Sequence, residues 1–186
     1  MFESGQDGNV AAIRTNVCVY PFLYLKGVAF MKCTTLCYLI QDNKLLMLHR
    51  IKKKEDFNKG KWIGVGGKFE KNESPDECAV REIYEETGLS VHELKPRGVV
   101  TFCYNNDDPE YMHLFTSESF SGELNENCNE GVLQWVEKEK VYDLNLWEGD
   151  RIFLDLLLKD EPYFLLKLMY HNDELLEAVL NGKKVL

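Results

Sequence analysis

Three glutamates with the spacing of one helix face stand at positions 82, 85 and 86. At about 100° per residue of α-helix, Glu82, Glu85 and Glu86 fall within roughly 100° of one another on a single stripe. Carboxylates this close repel, and each raises the pKa of the others unless a cation lies between them. Mg²⁺ takes oxygen ligands and is commonly held by a few carboxylates together with substrate phosphates. The spacing indicates a magnesium site, and the alternative is a solvated acidic helix face.

The residues around this stripe favour the functional interpretation. Gly66 and Gly67 end a strand-like segment, and a loop with two glycines can bring backbone carbonyls close to a metal or a phosphate. Arg81 can pair with Glu85 one turn further along the helix, or with Glu73 before it. Either pairing holds carboxylates in a fixed orientation, as groups around a metal site commonly do.

The helix that carries the stripe has signals at both ends. Ser74 is suited to the N-cap, Pro75 to the first turn, and Glu77 completes a capping box. Gly88 stands where a C-terminal glycine belongs. These residues predict a helix over Pro75–Thr87.

The other predicted elements indicate a mixed β-sheet with helices on both faces, an α/β (α+β) fold. Runs rich in β-branched and aromatic residues predict strands, and apolar residues at helical spacing predict helices. The predicted strands are 33–40, 44–50, 98–104, 110–120, 132–138 and 163–170, and the predicted helices after the first are 149–159 and a short one over 174–180.

Composition limits the class of protein. The 186 residues, 45% of them hydrophobic, suffice for one core, and residues 1–30 are interpreted as an N-terminal extension of a domain over 31–186. A net charge of −9 argues against non-specific binding to nucleic acid or to an acidic membrane. The six cysteines lack zinc spacing and are typical of reduced thiols in a cytoplasmic protein. The apolar segment 17–30 contains Pro21 and Lys26 and lacks a cleavage site, although a signal peptide stays open as an alternative.

The segment from 67 to 89 resembles the Nudix box, G-x5-E-x7-R-E-U-x-E-E-x-G-U, in which U is a bulky aliphatic residue. The match holds at every fixed position: Gly67, Glu73, Arg81, Glu82, Ile83, Glu85, Glu86, Gly88 and Leu89. A chance match in a chain of this length is expected about once in ten million, given average residue usage. The resemblance implies a Nudix-like α/β/α sandwich and a hydrolase of nucleoside diphosphates linked to another moiety.

The same resemblance implies the ligands of the metal, which is Mg²⁺ with Mn²⁺ as the alternative ion. They are Glu82, Glu85 and Glu86, a carbonyl of Gly66 or Gly67, and Glu130, which resembles the further acid that many members supply from a loop. The alternative for Glu130 is a solvated loop acid. The catalytic set comprises Glu82, Glu86, Arg81 and Glu73. Glu82 is the first choice for the base that accepts the proton of the attacking water, followed by Glu86 and Glu130.

Substrate choice depends on residues outside the box. The segments 57–74 and 146–150 are similar to stretches of oxidised-purine nucleoside triphosphatases of the MutT type, which implies that Trp147 and Asp150 line a base pocket. A tryptophan offers a stacking face, and a protonated carboxyl can hydrogen-bond a purine edge. Two positions depart from that pattern, because Ile63 replaces a base-binding asparagine and Gly149 replaces one of two adjacent acids.

Further candidates for contact with the substrate are Phe57 as an aromatic wall, His49 at the end of a strand, and Lys68 with Arg50 and the lysines at 52–54 as local positive charges. Core packing of Phe57 and Trp147 is the alternative. The predicted reaction is Mg²⁺-dependent hydrolysis of a purine nucleoside triphosphate, 8-oxo-dGTP among them, to the monophosphate and pyrophosphate. Hydrolysis of a nucleotide sugar or a dinucleoside polyphosphate, and nucleotide binding without catalysis, stay open.

Overall fold

A mixed β-sheet runs through the described part of the chain, residues 31–125 and 128–186 of a computed structural model. The predicted extension over residues 1–30 lies outside this part and stays a prediction. The elements are β1 (Lys32–Gln41), β2 (Lys44–His49), β3 (Trp62–Ile63), α1 (Pro75–Thr87), β4 (Ser90–Tyr104), β5 (Glu110–Ser121), β6 (Val132–Glu137), a 3₁₀ helix (Lys138–Asp143), α2 (Glu148–Leu158), β7 (Phe164–His171), β8 (Glu174–Leu180) and β9 (Lys183–Lys184).

The strands follow the spatial order β3-β2-β1-β5-β4-β7-β8-β9, and β6 pairs with β2. Strand β1 is parallel to β5, and β4 is parallel to β7, whereas the other pairs are antiparallel. Neither helix of the described ranges is long and apolar enough to cross a lipid bilayer.

The two faces of the sheet support two separate hydrophobic cores. Successive residues of a strand point to opposite faces, so that Leu36 and Tyr38 of β1 enter one core and Cys37 and Leu39 enter the other. Helix α2 covers the first core with Phe153, Leu154 and Leu157, and α1 covers the second with Ala79 and Ile83. The predicted arrangement, a mixed sheet between helices, is confirmed.

Helix α1 has the predicted bounds and the predicted caps. The Ser74 hydroxyl accepts a hydrogen bond from the Glu77 backbone N–H, and the Glu77 carboxylate accepts one from the Ser74 N–H at 2.8 Å. Gly88 adopts the left-handed conformation, with φ of 74°, and donates to the Tyr84 carbonyl at 2.8 Å. The capping signals in the sequence therefore place both ends of this helix.

The predicted short helix over Glu174–Leu180 is wrong, because this segment is strand β8. The chain turns at Asn172, whose φ is 53°, and β8 then pairs antiparallel with β7, with Leu168 opposite Ala178. Leu175 and Ala178 are buried in the core that α2 covers. Residues that suit a helix by propensity form a strand here because pairing and burial outweigh propensity.

The predicted strands differ from the structure in their bounds, most of them by a single residue at one or both ends. The segment 98–104 is the second half of β4, whose first half begins at Ser90 and has irregular register against β5 between Val91 and Gly98. Helix α2 begins at Glu148, one or two residues earlier than the sequence indicates. The strand predicted over 163–170 is observed one residue later, at Phe164–His171.

Candidate active site

The three glutamates of α1 differ in how deeply their side chains lie. Glu86 is buried, Glu82 keeps 16% of its side chain exposed, and Glu85 keeps 57%. Ala79 and Ile83 of the same helix are fully buried against the sheet. The acidic stripe therefore runs along the boundary between the core and the solvent, where carboxylates can meet a substrate.

The loop that contains Gly66 and Gly67, here called the glycine loop, lies directly against this stripe because it pairs with β1. Thr35 N–H donates to the Gly67 carbonyl at 2.8 Å, and Gly66 N–H donates to Glu86 Oε2 at 2.9 Å. Gly66 has φ of +152°, and a Cβ there would overlap the Thr35 carbonyl oxygen. A Cβ at Gly67 would overlap the Glu82 carboxylate. The Gly67 carbonyl therefore accepts a hydrogen bond from β1 while the Gly66 N–H holds Glu86.

Arg81 holds the acids in place, and it uses both pairings that the sequence indicates. Its guanidinium donates to Glu73 at 2.7 and 2.9 Å, to Glu82 at 2.8 Å and to Glu85 at 3.2 Å. It also donates to the Lys68 carbonyl at 3.1 Å. The bonds from Arg81 lower the pKa of Glu73 to about 2. Arg81 therefore fixes the loop before α1 and two carboxylates of the stripe together.

The chemistry of the donor set fits a hard divalent cation. Burial raises the pKa of Glu86 to about 7, the charge of Glu82 adds to this increase, and the Gly66 N–H opposes it. A cation beside Glu82 and Glu86 would stabilise their charged forms and so oppose this increase in pKa, and oxygen donors suit Mg²⁺. Across residues 31–125 and 128–186, no three acidic, histidine or cysteine side chains converge in metal-binding geometry, and Glu85 and Glu130 are held by basic side chains instead.

Glu130 pairs with two cations of the loop that follows β2. Its carboxylate accepts hydrogen bonds from Arg50 and from Lys53. The same two cations oppose the increase in the pKa of Glu86, so that Glu130 and Glu86 face a common set of positive charges. Gly131 is required beside Glu130, because a Cβ at this position would overlap the His49 carbonyl oxygen.

Trp147 and Phe57 meet in an aromatic cluster, as a base pocket would require. The Phe57 ring stacks on Trp147 with centroids 5.2 Å apart and planes 15° apart, and it meets Phe102 and Tyr104 edge-on. Phe57 is nevertheless 53% exposed, whereas Trp147 is buried. Lys61 places its Nζ 4.6 Å from the centroid of the Trp147 ring. Trp147 thus contributes to packing, and the exposed ring of Phe57 covers one of its faces.

Asp150 is buried beside this cluster. Burial raises its pKa to about 7, and the nearby Lys61 opposes the increase. The Gly149 N–H donates to the Tyr170 hydroxyl at 2.7 Å, and a Cβ at Gly149 would overlap Tyr170 and Leu168. A second acid therefore cannot occupy position 149 in this packing, which explains one departure from the related base pockets.

The remaining predicted substrate contacts have mainly structural partners. His49 stacks on Trp62 with centroids 4.4 Å apart, and Ile63 pairs with Leu48 and packs against both cores. The Lys68 side chain is exposed, and its backbone carbonyl accepts from Arg81.

Sequence reasoning missed Asp56, Asn58 and Asn145, which hold the loop after β2 in place. Asn58 accepts from Trp147 Nε1 at 2.9 Å, and Asn145 donates to the Gly60 carbonyl at 3.0 Å. The only local signal was an Asp-x-Asn pair in a loop, where such residues often hydrogen-bond the backbone.

Comparison with known proteins identifies the family. Residues 32–157 match the NUDIX domain. This chain belongs to the NUDIX family. It is 30% identical over 138 residues to an uncharacterised Nudix hydrolase, YvcI, of Bacillus subtilis, covering 72% of this chain and 84% of that protein. It is 32% identical over 131 residues to the mouse oxidized purine nucleoside triphosphate hydrolase, covering 69% and 81%.

The Nudix fold is also shared with solved structures. The crystal structure of the mutator MutT protein from Bacillus halodurans superposes with a TM-score of 0.74 at 26% identity, covering 81% of this chain and 98% of that one. The chain is accordingly a Nudix hydrolase, an enzyme that acts on phosphoanhydride bonds of nucleotides, and Nudix hydrolases generally use divalent metal ions.

Proposed function

We propose that this Nudix hydrolase converts purine nucleoside triphosphates, oxidised ones such as 8-oxo-dGTP among them, to the monophosphate and pyrophosphate with Mg²⁺. The observation that carries the proposal is the position of Glu82 and Glu86 against the Gly66–Gly67 loop, a set of oxygen donors with one buried carboxylate of raised pKa. A relative from mouse and one from zebrafish are named oxidized purine nucleoside triphosphate hydrolases, which supports the substrate class.

The metal ligands in this proposal are Glu82, Glu85, Glu86 and Glu130 with the Gly66 carbonyl. When bound, a divalent cation at these oxygens neutralises phosphate charge and acidifies the attacking water. Glu82 is our choice for the base that accepts the proton, because Arg81 bonds one of its oxygens at 2.8 Å and so fixes its orientation. Glu86 and Glu130 are the alternatives. Glu73 keeps Arg81 in position.

The nucleobase in this proposal lies at the aromatic cluster. Phe57 and Trp147 supply ring faces and edges, and a protonated Asp150 donates a hydrogen bond to the base. Arg50, Lys53 and Lys68 supply positive charge for the triphosphate, and His49 and Ile63 support the neighbouring wall.

A substrate panel with one matched pair of variants tests the proposal. Release of pyrophosphate is measured from 8-oxo-dGTP, dGTP and ATP with Mg²⁺, and release of AMP is measured from ADP-ribose and diadenosine tetraphosphate, which are substrates of the competing Nudix activities. Glu86→Gln should lower kcat/KM by about 10²- to 10⁴-fold, the range for loss of a catalytic carboxylate. Glu118→Gln, at an exposed position of β5, is the control and should leave it unchanged.

Four results would contradict the proposal. Robust turnover by Glu86→Gln, or undiminished turnover after chelation with EDTA, would remove the metal site. Preference for ADP-ribose or diadenosine tetraphosphate would reassign the substrate. Binding of 8-oxo-dGTP without release of any product would favour a non-catalytic nucleotide-binding domain.

A further inference from the structure

The loop between β2 and β3, residues 50–61, joins the acidic face of α1 to the aromatic cluster, and we name it the basic loop. Its ends are closed by backbone hydrogen bonds, from Arg50 N–H to the Lys61 carbonyl at 2.9 Å and from Gly60 N–H to the Arg50 carbonyl at 2.7 Å. These two bonds tie the ends of the basic loop to each other.

The first half of the basic loop is attached to the metal side of the site. Arg50 and Lys53 donate to the Glu130 carboxylate. Lys52 donates through its Nζ to the Cys128 carbonyl at 2.7 Å and through its backbone N–H to the Glu130 carbonyl at 3.3 Å. Glu130 therefore cannot turn towards a cation without exchanging its partners on this loop.

The second half of the same loop is attached to the base side. Asn58 accepts from Trp147 Nε1 at 2.9 Å, and Phe57 stacks on the ring of the same tryptophan. The Gly60 carbonyl accepts from the Asn145 side chain at 3.0 Å. A base that enters the aromatic cluster has to displace or press against Phe57, and thereby against this half of the loop.

Asp56 connects the two halves through a single carboxylate. One oxygen accepts from Arg50 Nε at 2.8 Å, and the other accepts from the Asn58 backbone N–H at 3.0 Å. Only 5% of the Asp56 side chain and 12% of the Arg50 side chain are exposed. Burial alone would raise the pKa of Asp56, and the bonds from Arg50 and Asn58 lower it below its ordinary value. A sheltered, charge-assisted bond of this kind is strong and directional.

We propose that Asp56 is a positioning residue that couples the aromatic cluster to Glu130, so that a nucleobase at Trp147 alters cation binding at the acidic face. The path runs from Trp147 through Asn58, Asp56 and Arg50 to Glu130. It rests on the proposed function, since it assigns the nucleobase and the cation to these two sites. By linkage, the cation alters affinity for the base by the same factor.

The coupling has a consequence for substrate choice. A triphosphate that carries a base filling the aromatic cluster engages the metal side with a different affinity from a triphosphate without such a base. Selectivity for nucleotides thus arises partly from the basic loop and not only from direct contacts to the base. Asp56 sets the strength of this coupling without contacting either the base or the phosphates.

The test measures Mg²⁺ binding directly, by titration calorimetry without turnover. The dissociation constant is compared in the presence of 8-oxo-dGMP and of deoxyribose 5-phosphate, which has the same phosphate and no base. In wild type the two values should differ by at least about fivefold, the lower end of typical coupling between sites. Asp56→Asn should bring the ratio close to one, and Asp56→Glu should restore part of it. Glu55→Gln, an exposed acid on the same loop, should leave the ratio unchanged.

A second variant keeps the test decisive if Asp56→Asn does not fold. Asn58→Ala removes the acceptor for Trp147 and leaves the Arg50–Asp56 bond intact, and it should also reduce the ratio. A ratio near one in wild type, a wild-type ratio in both variants, or a loss in Glu55→Gln would overturn the inference. These outcomes are distinct from failure of the proposed function, because wild type and Glu86→Gln are compared separately for pyrophosphate release.

Discussion

Glu86 and Asp150 are two buried carboxylates. Burial raises the pKa of both side chains, but their surroundings suit them to different tasks. The pKa of each is raised to about 7. Glu86 lies beside Glu82 and accepts a hydrogen bond from the Gly66 N–H. A cation bound there would offset the free-energy cost of its buried charge. Asp150 lies beside aromatic rings and Lys61. Protonation of its carboxylate removes the free-energy cost of a buried negative charge and leaves a hydrogen-bond donor.

Asp150→Asn should therefore change stability in a pH-dependent way. The pKa of the carboxyl in the folded protein is raised above its unfolded value of 3.8, so the folded state binds more protons between these values and loses stability as pH rises from about 4 through 7. Asparagine does not titrate. The variant should match wild type near pH 4 and be more stable by a few kcal/mol at pH 8, at about 1.4 kcal/mol per pKa unit.

Urea unfolding of both proteins at pH 4 and pH 8 measures this difference. Asp108→Asn, at an exposed position before Pro109, is the control and should show no pH-dependent gain. An Asp150→Asn variant that is destabilised equally at both pH values would mean that Asp150 is charged and paired in the folded protein.

At the scale of elements, helix α1 and the glycine loop together determine the acidic face. The helix fixes the spacing of Glu82 and Glu86, and pairing of the loop with β1 brings Gly66 within hydrogen-bond distance of Glu86. The capping box at Ser74 lies two turns or more before these residues. Caps stabilise a helix without contacting its later turns.

Ser74→Ala should lower the free energy of unfolding by about 1 kcal/mol, because the Glu77 N–H loses its acceptor. For a domain of this size the melting temperature should fall by about 2–4 °C. The kcat at 25 °C should stay within about twofold of wild type, since the acidic face keeps its contacts. Thermal unfolding followed by circular dichroism, with pyrophosphate release from the same samples, measures both.

The control for this variant is Ser90→Ala, at the exposed start of β4, which should leave the melting temperature unchanged. A loss of activity greater than tenfold in Ser74→Ala below its melting temperature would show that the cap also positions the acidic face.

At the scale of the whole molecule, the buried members of both hydrophobic cores lie between Leu36 and Ala178 among the described residues. The side chain of Met31 is 71% exposed, and β1 begins directly after it. The division of the chain into a domain over residues 31–186 and an extension over residues 1–30 stays a prediction.

A chain that begins at Met31 should therefore fold and retain activity. Its melting temperature should lie within about 2 °C of the full chain, less than the change that 1 kcal/mol produces in a domain of this size. Its kcat/KM for the preferred nucleotide should lie within about twofold. Failure to fold, or a loss of activity in a folded chain, would mean that residues 1–30 belong to the domain.

Features that depend on local spacing could be predicted from the sequence. The ends of α1 follow from Ser74, Glu77 and Gly88, the acidic stripe follows from helical periodicity, and the box motif identifies the family. Tertiary structure alone decided that 174–180 is a strand, because partner strand β7 and burial outweigh its helical propensity. It also decided that Phe57 and Asn58 meet Trp147, 89 or more residues away. Contacts between distant segments depend on how the whole chain packs, which no local spacing encodes.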